Sequence, residues 1–165
     1  MIETQPTLRI ERATERDVPL ILQLIKGLAE YEKLADAVSA TEDALRQSLF
    51  GPRPAAEVVI GYAGDEPVGF ALFFHNYSTF LAKPGLYLED LFVRPAARGA
   101  GVGGALMAAC AKLCVERNYG RFEWSVLDWN EPALKFYRSL GAVPMAEWTV
   151  QRLTGAPLAA LAART

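Results

Sequence analysis

Residues 94–104 read Arg94-Pro95-Ala96-Ala97-Arg98-Gly99-Ala100-Gly101-Val102-Gly103-Gly104, and they join a strand-like run to a helix-like run. Before them, Leu86–Val93 sets Leu, Tyr, Phe and Val around two acidic residues, Glu89 and Asp90, which reads as a strand. After them, Val102, Ala105, Leu106, Ala109, Cys110, Leu113 and Cys114 recur at helical spacing. Glycines at 99, 101, 103 and 104 let the backbone turn tightly and approach a ligand closely. The free N–H groups and the positive dipole end of the following helix form a seat for phosphate, to which Arg94 and Arg98 add charge.

The phosphate-binding alternatives can be sorted by context. A P-loop needs Gly-Lys-Ser/Thr, which is absent. Gly99, Gly101 and Gly104 match the dinucleotide spacing G-x-G-x-x-G. They follow the fourth predicted strand rather than the first, however, and no acidic residue ends a suitable strand about 20 residues on. Asp128 comes closest in spacing, but it precedes a helix cap. By itself the stretch supports CoA or nucleotide binding, with a plain loop-to-helix turn as the alternative.

Working outward, Leu8–Arg12 reads as a strand, and Thr14 caps a helix with Val18, Ile21, Leu22, Ile25 and Leu28 on one face, running to about Leu34. Thr41 opens a second helix that Gly51-Pro52 ends. Glu57–Ala63 and Val68–His75 form a hairpin over Gly64–Pro67, and 76–85 is a loop before Leu86. Phe122, Trp124 and Val126 alternate along another strand. Asn130 and Pro132 open a helix that ends at Gly141, Val143–Leu153 is a final extended region, and Pro157–Ala163 a short terminal helix. The order β-α-α-β-β-β-α-β-α-β is mixed α/β, with antiparallel pairing among the three consecutive strands and parallel pairing in the later strand–helix–strand unit.

Bulk properties narrow the classes. The 165 residues suit one domain, and 52% hydrophobic with 22% charged residues is a globular balance. A net charge of −2 offers no electrostatic footprint for nucleic acid or an anionic membrane. No apolar run reaches the roughly 18–20 residues that span a bilayer, and the opening segment MIETQPTLRIER lacks the pattern of a signal peptide. Cys110 and Cys114 are expected as core thiols, His75 is too distant to join them as a metal site, and the cytoplasm is the default location.

Arg98-Gly99-Ala100-Gly101-Val102-Gly103, set between strand and helix, resembles the acetyl-CoA loop of the GCN5-related N-acetyltransferase family. Asn130-Glu131-Pro132-Ala133-Leu134-Lys135-Phe136-Tyr137, followed by Leu140-Gly141-Ala142, is similar to that family's second landmark. The resemblance runs from Leu8 to the C-terminus. It implies a single-domain α/β fold over residues 8–165, with a mixed, mostly antiparallel sheet flanked by helices. It also implies acetyl-CoA as cosubstrate, no metal, and a CoA pyrophosphate held by the backbone of Arg98, Gly99, Ala100, Gly101, Val102, Gly103 and Gly104. Leu91, Phe92 and Val93 would pair with the pantetheine, with Asn130 and Phe136 alongside it.

Acetyl transfer to an amine sets its own demands. A primary amine has a pKa of about 10.4 and must lose a proton before it attacks, while the departing thiolate must gain one. Glu89 is the candidate base, acting directly or through water, and Asp90 a holder of the cationic substrate; each could instead be a solvent-exposed or ion-paired strand residue. Because neighbouring strand residues face opposite sides, these two carboxylates are not expected to act as one pair. Tyr137 sits where the resemblance places a general acid.

Within the family, Leu24-Ile25-Lys26-Gly27-Leu28-Ala29-Glu30-Tyr31-Glu32, Tyr87-Leu88-Glu89-Asp90 and Trp129-Asn130-Glu131-Pro132 resemble the diamine (spermidine/spermine-type) acetyltransferases. That subgroup acetylates small amines as a homodimer, and Tyr31, Glu32, Glu89, Asp90 and Trp148 would line the amine site. Ser78 and Phe80 replace an acidic residue and a tryptophan of the spermidine enzymes. Tyr77-Ser78-Thr79-Phe80 and Leu127-Asp128-Trp129-Asn130 are instead similar to the thialysine-acetylating branch, which favours a small amino-acid-like or diamine substrate over spermine. A basic pair expected after the tyrosine is reduced at Ser139 and Leu140. The rival functions are a protein lysine or N-terminal acetyltransferase and a catalytically silent CoA-binding module.

Overall fold

A computed structural model describes residues 7–164; residues 1–6, the first half of the opening segment, and Thr165 lie outside the described residues. The chain divides into two compact units that meet between Ser125 and Val126.

In the first unit, β1 (Leu8–Arg12) leads through a 3-10 turn into α1 (Val18–Tyr31). The Thr14 N–H donates to Asp17 Oδ2 at 2.7 Å, supplying one of the partners a helix start lacks. Thr41 caps α2 (Glu42–Phe50) by accepting from the Ala44 N–H at 3.2 Å. Next come β2 (Glu57–Ala63), β3 (Glu66–Ser78), β4 (Lys83–Val93), α3 (Val102–Glu116) and β5 (Phe122–Trp124). The sheet runs β1-β2-β3-β4-β5, with antiparallel pairs up to β4 and a parallel pair at β4–β5. The expected mixed, mostly antiparallel α/β architecture is present.

Side-chain alternation assigns the two faces. Val58, Ile60, Phe70 and Phe92 pack against Val18, Ile21, Leu24 and Leu28 of α1 and Leu45 and Leu49 of α2. The opposite face meets α3, where Leu106 lies over Gly61 and Gly69. Each fully buried Leu, Ile or Phe contributes about 1.5–3 kcal/mol, so this double cover fixes the strand register. Cys110 and Cys114 are buried thiols on α3, as read from sequence.

The second unit contains α4 (Glu131–Ser139) and α5 (Gly155–Ala162). The Asn130 side chain caps α4, and Gly141 takes a positive φ of 86° just past its end, the residue type suited to that stop.

Three expectations change. The 76–85 loop is mostly ladder: β3 continues to Ser78 and β4 begins at Lys83, because Asn76, Tyr77 and Ser78 pair with Gly85, Pro84 and Lys83. α1 stops at Tyr31 rather than Leu34, since Lys33 adopts a left-handed φ of 61°. Residues 143–153 form no strand. Among the described residues no strand pairs with them, Pro144 lacks a donor, and Trp148 N–H bonds back to Met145 O at 3.1 Å to make a turn.

Candidate active site

The ladder between β3 and β4 contains an irregularity at the two predicted carboxylates. Leu72 pairs with Asp90 and the next residue, Phe73, pairs with Leu88, leaving Glu89 as one extra residue in β4. Leu88 and Leu91 pair with Phe73 and Ala71 on the α3 side, so Glu89 and Asp90 between them share the α1 side. The expectation that neighbouring residues diverge is corrected here: a bulge replaces alternation with a shared direction. Their charges then interact. Burial pushes the Asp90 carboxyl up to about 6, and the nearby Glu89 and Glu32 carboxylates push in the same direction.

Glu32 arrives from α1, whose last residue is Tyr31. Burial also raises its pKa. What holds this helix end against β4 is the absent side chain of Gly27, where a Cβ would lie 2.9 Å from Phe92 Cε1. Tyr31 follows Gly27 by four residues, so both lie on the helix face turned to β4.

The glycine loop begins where β4 ends. A 3-10 turn over Pro95–Ala97 precedes Arg98, and Gly99 and Gly101 take φ values of 81° and 80°, which favour glycine. Gly101 stands at the N-cap of α3 without a side-chain cap, and the first helical hydrogen bond runs from Ala105 N–H to Gly101 O. The N–H groups of the first turn therefore have no partner within the helix. A Cβ on Gly99, Gly101 or Gly104 would meet no atom within 4 Å. At Gly104, within α3, the fold has no use for glycine, and the missing side chain leaves an open cradle at the helix start. These residues fit a pyrophosphate.

Arg98 ties this loop to the carboxylates' neighbourhood. Its Nε donates to Val93 O at 3.1 Å, and its guanidinium lies 4.4 Å from the Tyr31 ring centroid and 5.9 Å from that of Phe92. The parallel β4–β5 pairing stops at Leu88–Trp124. Among the described residues, the backbone edge of β4 from Glu89 to Val93 on that side therefore carries no ladder, which suits pairing by an extended group. Phe92 itself is buried under α1, while Leu91 and Val93 are half-buried.

Tyr31, Glu32, Glu89, Asp90, Leu91–Val93 and the loop 98–104 thus belong to the first unit, with β4 at its centre. Asn130, Phe136, Tyr137 and Trp148 belong to the second. There Asn130 is buried and its Oδ1 accepts from Ala133 N–H at 3.4 Å, the Phe136 and Tyr137 rings sit 5.4 Å apart, and Trp148 is exposed. Ser78 is buried and accepts from Leu81 N–H at 3.3 Å in the β3–β4 turn, where Phe80 is fully exposed. No group of three or more His, Cys, Asp or Glu side chains is placed to hold a metal ion among the described residues.

Sequence reading missed the continuation of the acidic face beyond Asp90. Phe74 and Tyr87 stack there at 5.3 Å, Tyr87 Oη lies 2.8 Å from Ser125 Oγ, and Asn76, Arg121 and Glu123 lie beside them. The alternation of Phe122 and Trp124 implied that Glu123 faces the other way, and this was the available signal.

The family model described as acetyltransferase (GNAT) family matches residues 24–142. The chain is 35% identical to an L-ornithine N5-acetyltransferase of Arabidopsis thaliana, with 96% of this chain and 92% of that one covered. It is 36% identical to a thialysine N-epsilon-acetyltransferase of Bos taurus, covering 94% and 97%. An integron cassette protein from the mobile metagenome of V. cholerae superimposes with a TM-score of 0.79 at 28% identity, covering 95% of this chain and 98% of that one.

Proposed function

The chain belongs to the acetyltransferase (GNAT) family, and from that premise we propose that it moves the acetyl group of acetyl-CoA to a primary amine of a small diamine or lysine-like amino acid. The observation that carries this reading is the β4 bulge. It turns Glu89 and Asp90 to one face, within electrostatic reach of Glu32, beside the open backbone edge and the glycine cradle. Among the described residues these three carboxylates, of which Asp90 is held at a raised pKa, form no ion pair with a cation, and an ammonium substrate supplies one. The named activities of the ornithine and thialysine relatives, both on side-chain amines of small amino acids, support the same acceptor class.

Acetyl-CoA, when bound, supplies an acyl carbon activated as a thioester. Asp90 and Glu32 hold the incoming ammonium group, with Tyr31 beside them. Glu89 takes its proton, directly or through water, so that the amine lone pair can attack. Tyr137 gives the phenolic proton to the sulfur as it leaves. The first-turn N–H groups of α3 hold the pyrophosphate, Leu91–Val93 pair with the pantetheine, Asn130 and Phe136 lie along it, and Trp148 borders the amine. Residues 8–165 serve as one catalytic domain. The family resemblance supports a homodimer, and the two free thiols suit the reducing cytoplasm.

The test is a screen of diamines, thialysine, lysine, ornithine, spermidine and peptides for acetyl-CoA-dependent thiol release. Turnover of small amines with peptides inert is expected; turnover of peptides alone, or of nothing, overturns the proposal.

A further inference from the structure

Along the sheet face that carries Glu89 and Asp90, the next polar group is a cluster of Asn76, Arg121 and Glu123. Asn76 pairs with Gly85 and Glu123 with Tyr87, so all three side chains sit on the Asp90 side of the sheet. Asn76 Nδ2 donates to Glu123 Oε1 at 3.1 Å, and Arg121 Nε lies 2.6 Å from that same oxygen. Beyond this ion pair, Glu123 Oε2 and the two terminal guanidinium nitrogens of Arg121 make no hydrogen bond among the described residues. Two buried polar atoms are also left without hydrogen bonds: Asn76 Oδ1, and Arg121 Nε, whose N–H is not aimed at the carboxylate beside it. Arg121 and Glu123 are each about one-third exposed, at 39% and 33%, so a ligand can reach them.

This cluster presents an open carboxylate oxygen and an open guanidinium fork side by side, which complements an ammonium and a carboxylate on one carbon. Its distance from the reaction centre matches. Glu123 stands level with Tyr87, two to three residues from Asp90 and Glu89, or about 7–10 Å at roughly 3.3 Å per residue. An extended lysine-like side chain places its terminal nitrogen about 6 Å from its α-carbon, and the head-group atoms lie farther still. The Phe74 and Tyr87 rings, packed 5.3 Å apart on the same row as Glu123, offer an apolar floor at that end for the methylenes.

We propose that Asn76, Arg121 and Glu123 form the subsite for the α-amino and α-carboxylate groups of an amino-acid acceptor, so that the chain distinguishes an amino acid from the corresponding diamine. This rests on the small-amine reading above. The test compares L-lysine with 1,5-diaminopentane, and L-ornithine with 1,4-diaminobutane, in the full chain and in Arg121→Gln, Arg121→Lys and Glu123→Gln. Arg121→Gln is expected to raise KM for lysine and ornithine by about tenfold or more with kcat retained, and to leave the diamines within about twofold. Arg121→Lys should recover part of the loss, and Glu123→Gln should also weaken the amino acids more. Equal effects on both members of a pair, or none on the amino acids, overturn the subsite. Titration calorimetry of the same pairs gives the same discrimination without turnover. A chain that acetylates no small amine thus refutes the activity, while the binding difference still decides the subsite.

Discussion

Replacing Asp90 by asparagine removes a carboxylate that the fold holds against its preference. The Asp90 carboxyl stands at about 6, against an ordinary value of 3.8, because burial and the charges of Glu89 and Glu32 disfavour its ionised form. At 1.36 kcal/mol per pH decade this displacement is worth about 3 kcal/mol, and solvent reaching the half-buried side chain reduces it to about 1–2 kcal/mol. The direction follows from linkage. Below pH 3.8 the carboxyl is protonated in folded and unfolded chains alike, so it does not oppose folding. Between 3.8 and 6 the unfolded chain has ionised while the folded one keeps its proton, and stability falls as the pH rises. Above that window the full destabilisation is present. An asparagine amide cannot ionise, so urea denaturation at pH 8 should show Asp90→Asn more stable than the parent by about 1–2 kcal/mol, and at pH 3.5 the two proteins should agree. For a chain of this length the thermal midpoint at pH 8 should rise by about 2–8 °C. The same variant should lose affinity for the amine, raising its KM by about tenfold or more, because the cation no longer finds its counter-charge. A variant that is less stable than the parent at pH 8, or whose advantage does not vanish in acid, refutes the argument.

Three further outcomes follow from the site. Gly104→Ala meets no atom in the fold and improves helix propensity, so thermal melts should show stability unchanged or raised by up to about 1 kcal/mol, while KM for acetyl-CoA rises by about tenfold or more. Gly27→Ala drives a Cβ against the buried Phe92 ring; despite the gain in helix propensity it should destabilise by about 1–3 kcal/mol and raise KM for the amine, measured by melting and initial rates. Tyr137→Phe and Glu89→Gln should each lower kcat by about 100-fold with the fold intact by circular dichroism, and full activity at neutral pH in either would remove that residue's proposed role.

The loop at 98–104 was legible because its chemistry is local: glycines at fixed spacing, next to a strand and a periodic helix, need no distant partner to be recognised. The caps at Thr41 and Asn130 were legible for the same reason, each being a side chain bonded to a backbone N–H three residues on. The extended region expected over 143–153 forms no strand, because an extended run becomes a strand only where another strand pairs with it, and among the described residues none does.

The β4 bulge shows where local reading stops. Nothing in Leu88-Glu89-Asp90-Leu91 announces an extra residue, since a bulge is a property of two strands counted against each other, and only the β3–β4 ladder contains that count. The same holds for Arg98 over Tyr31, separated by 67 positions, and for Asn76 beside Glu123. The sequence by itself determined the α/β architecture, the glycine loop between β4 and α3, and the family. Only the tertiary structure decided that Glu89 and Asp90 share a face and that this face continues to Arg121 and Glu123. Backbone turns and helix faces are written in neighbouring residues, whereas the field at a carboxylate is the sum of charges that packing brings together from distant parts of the chain.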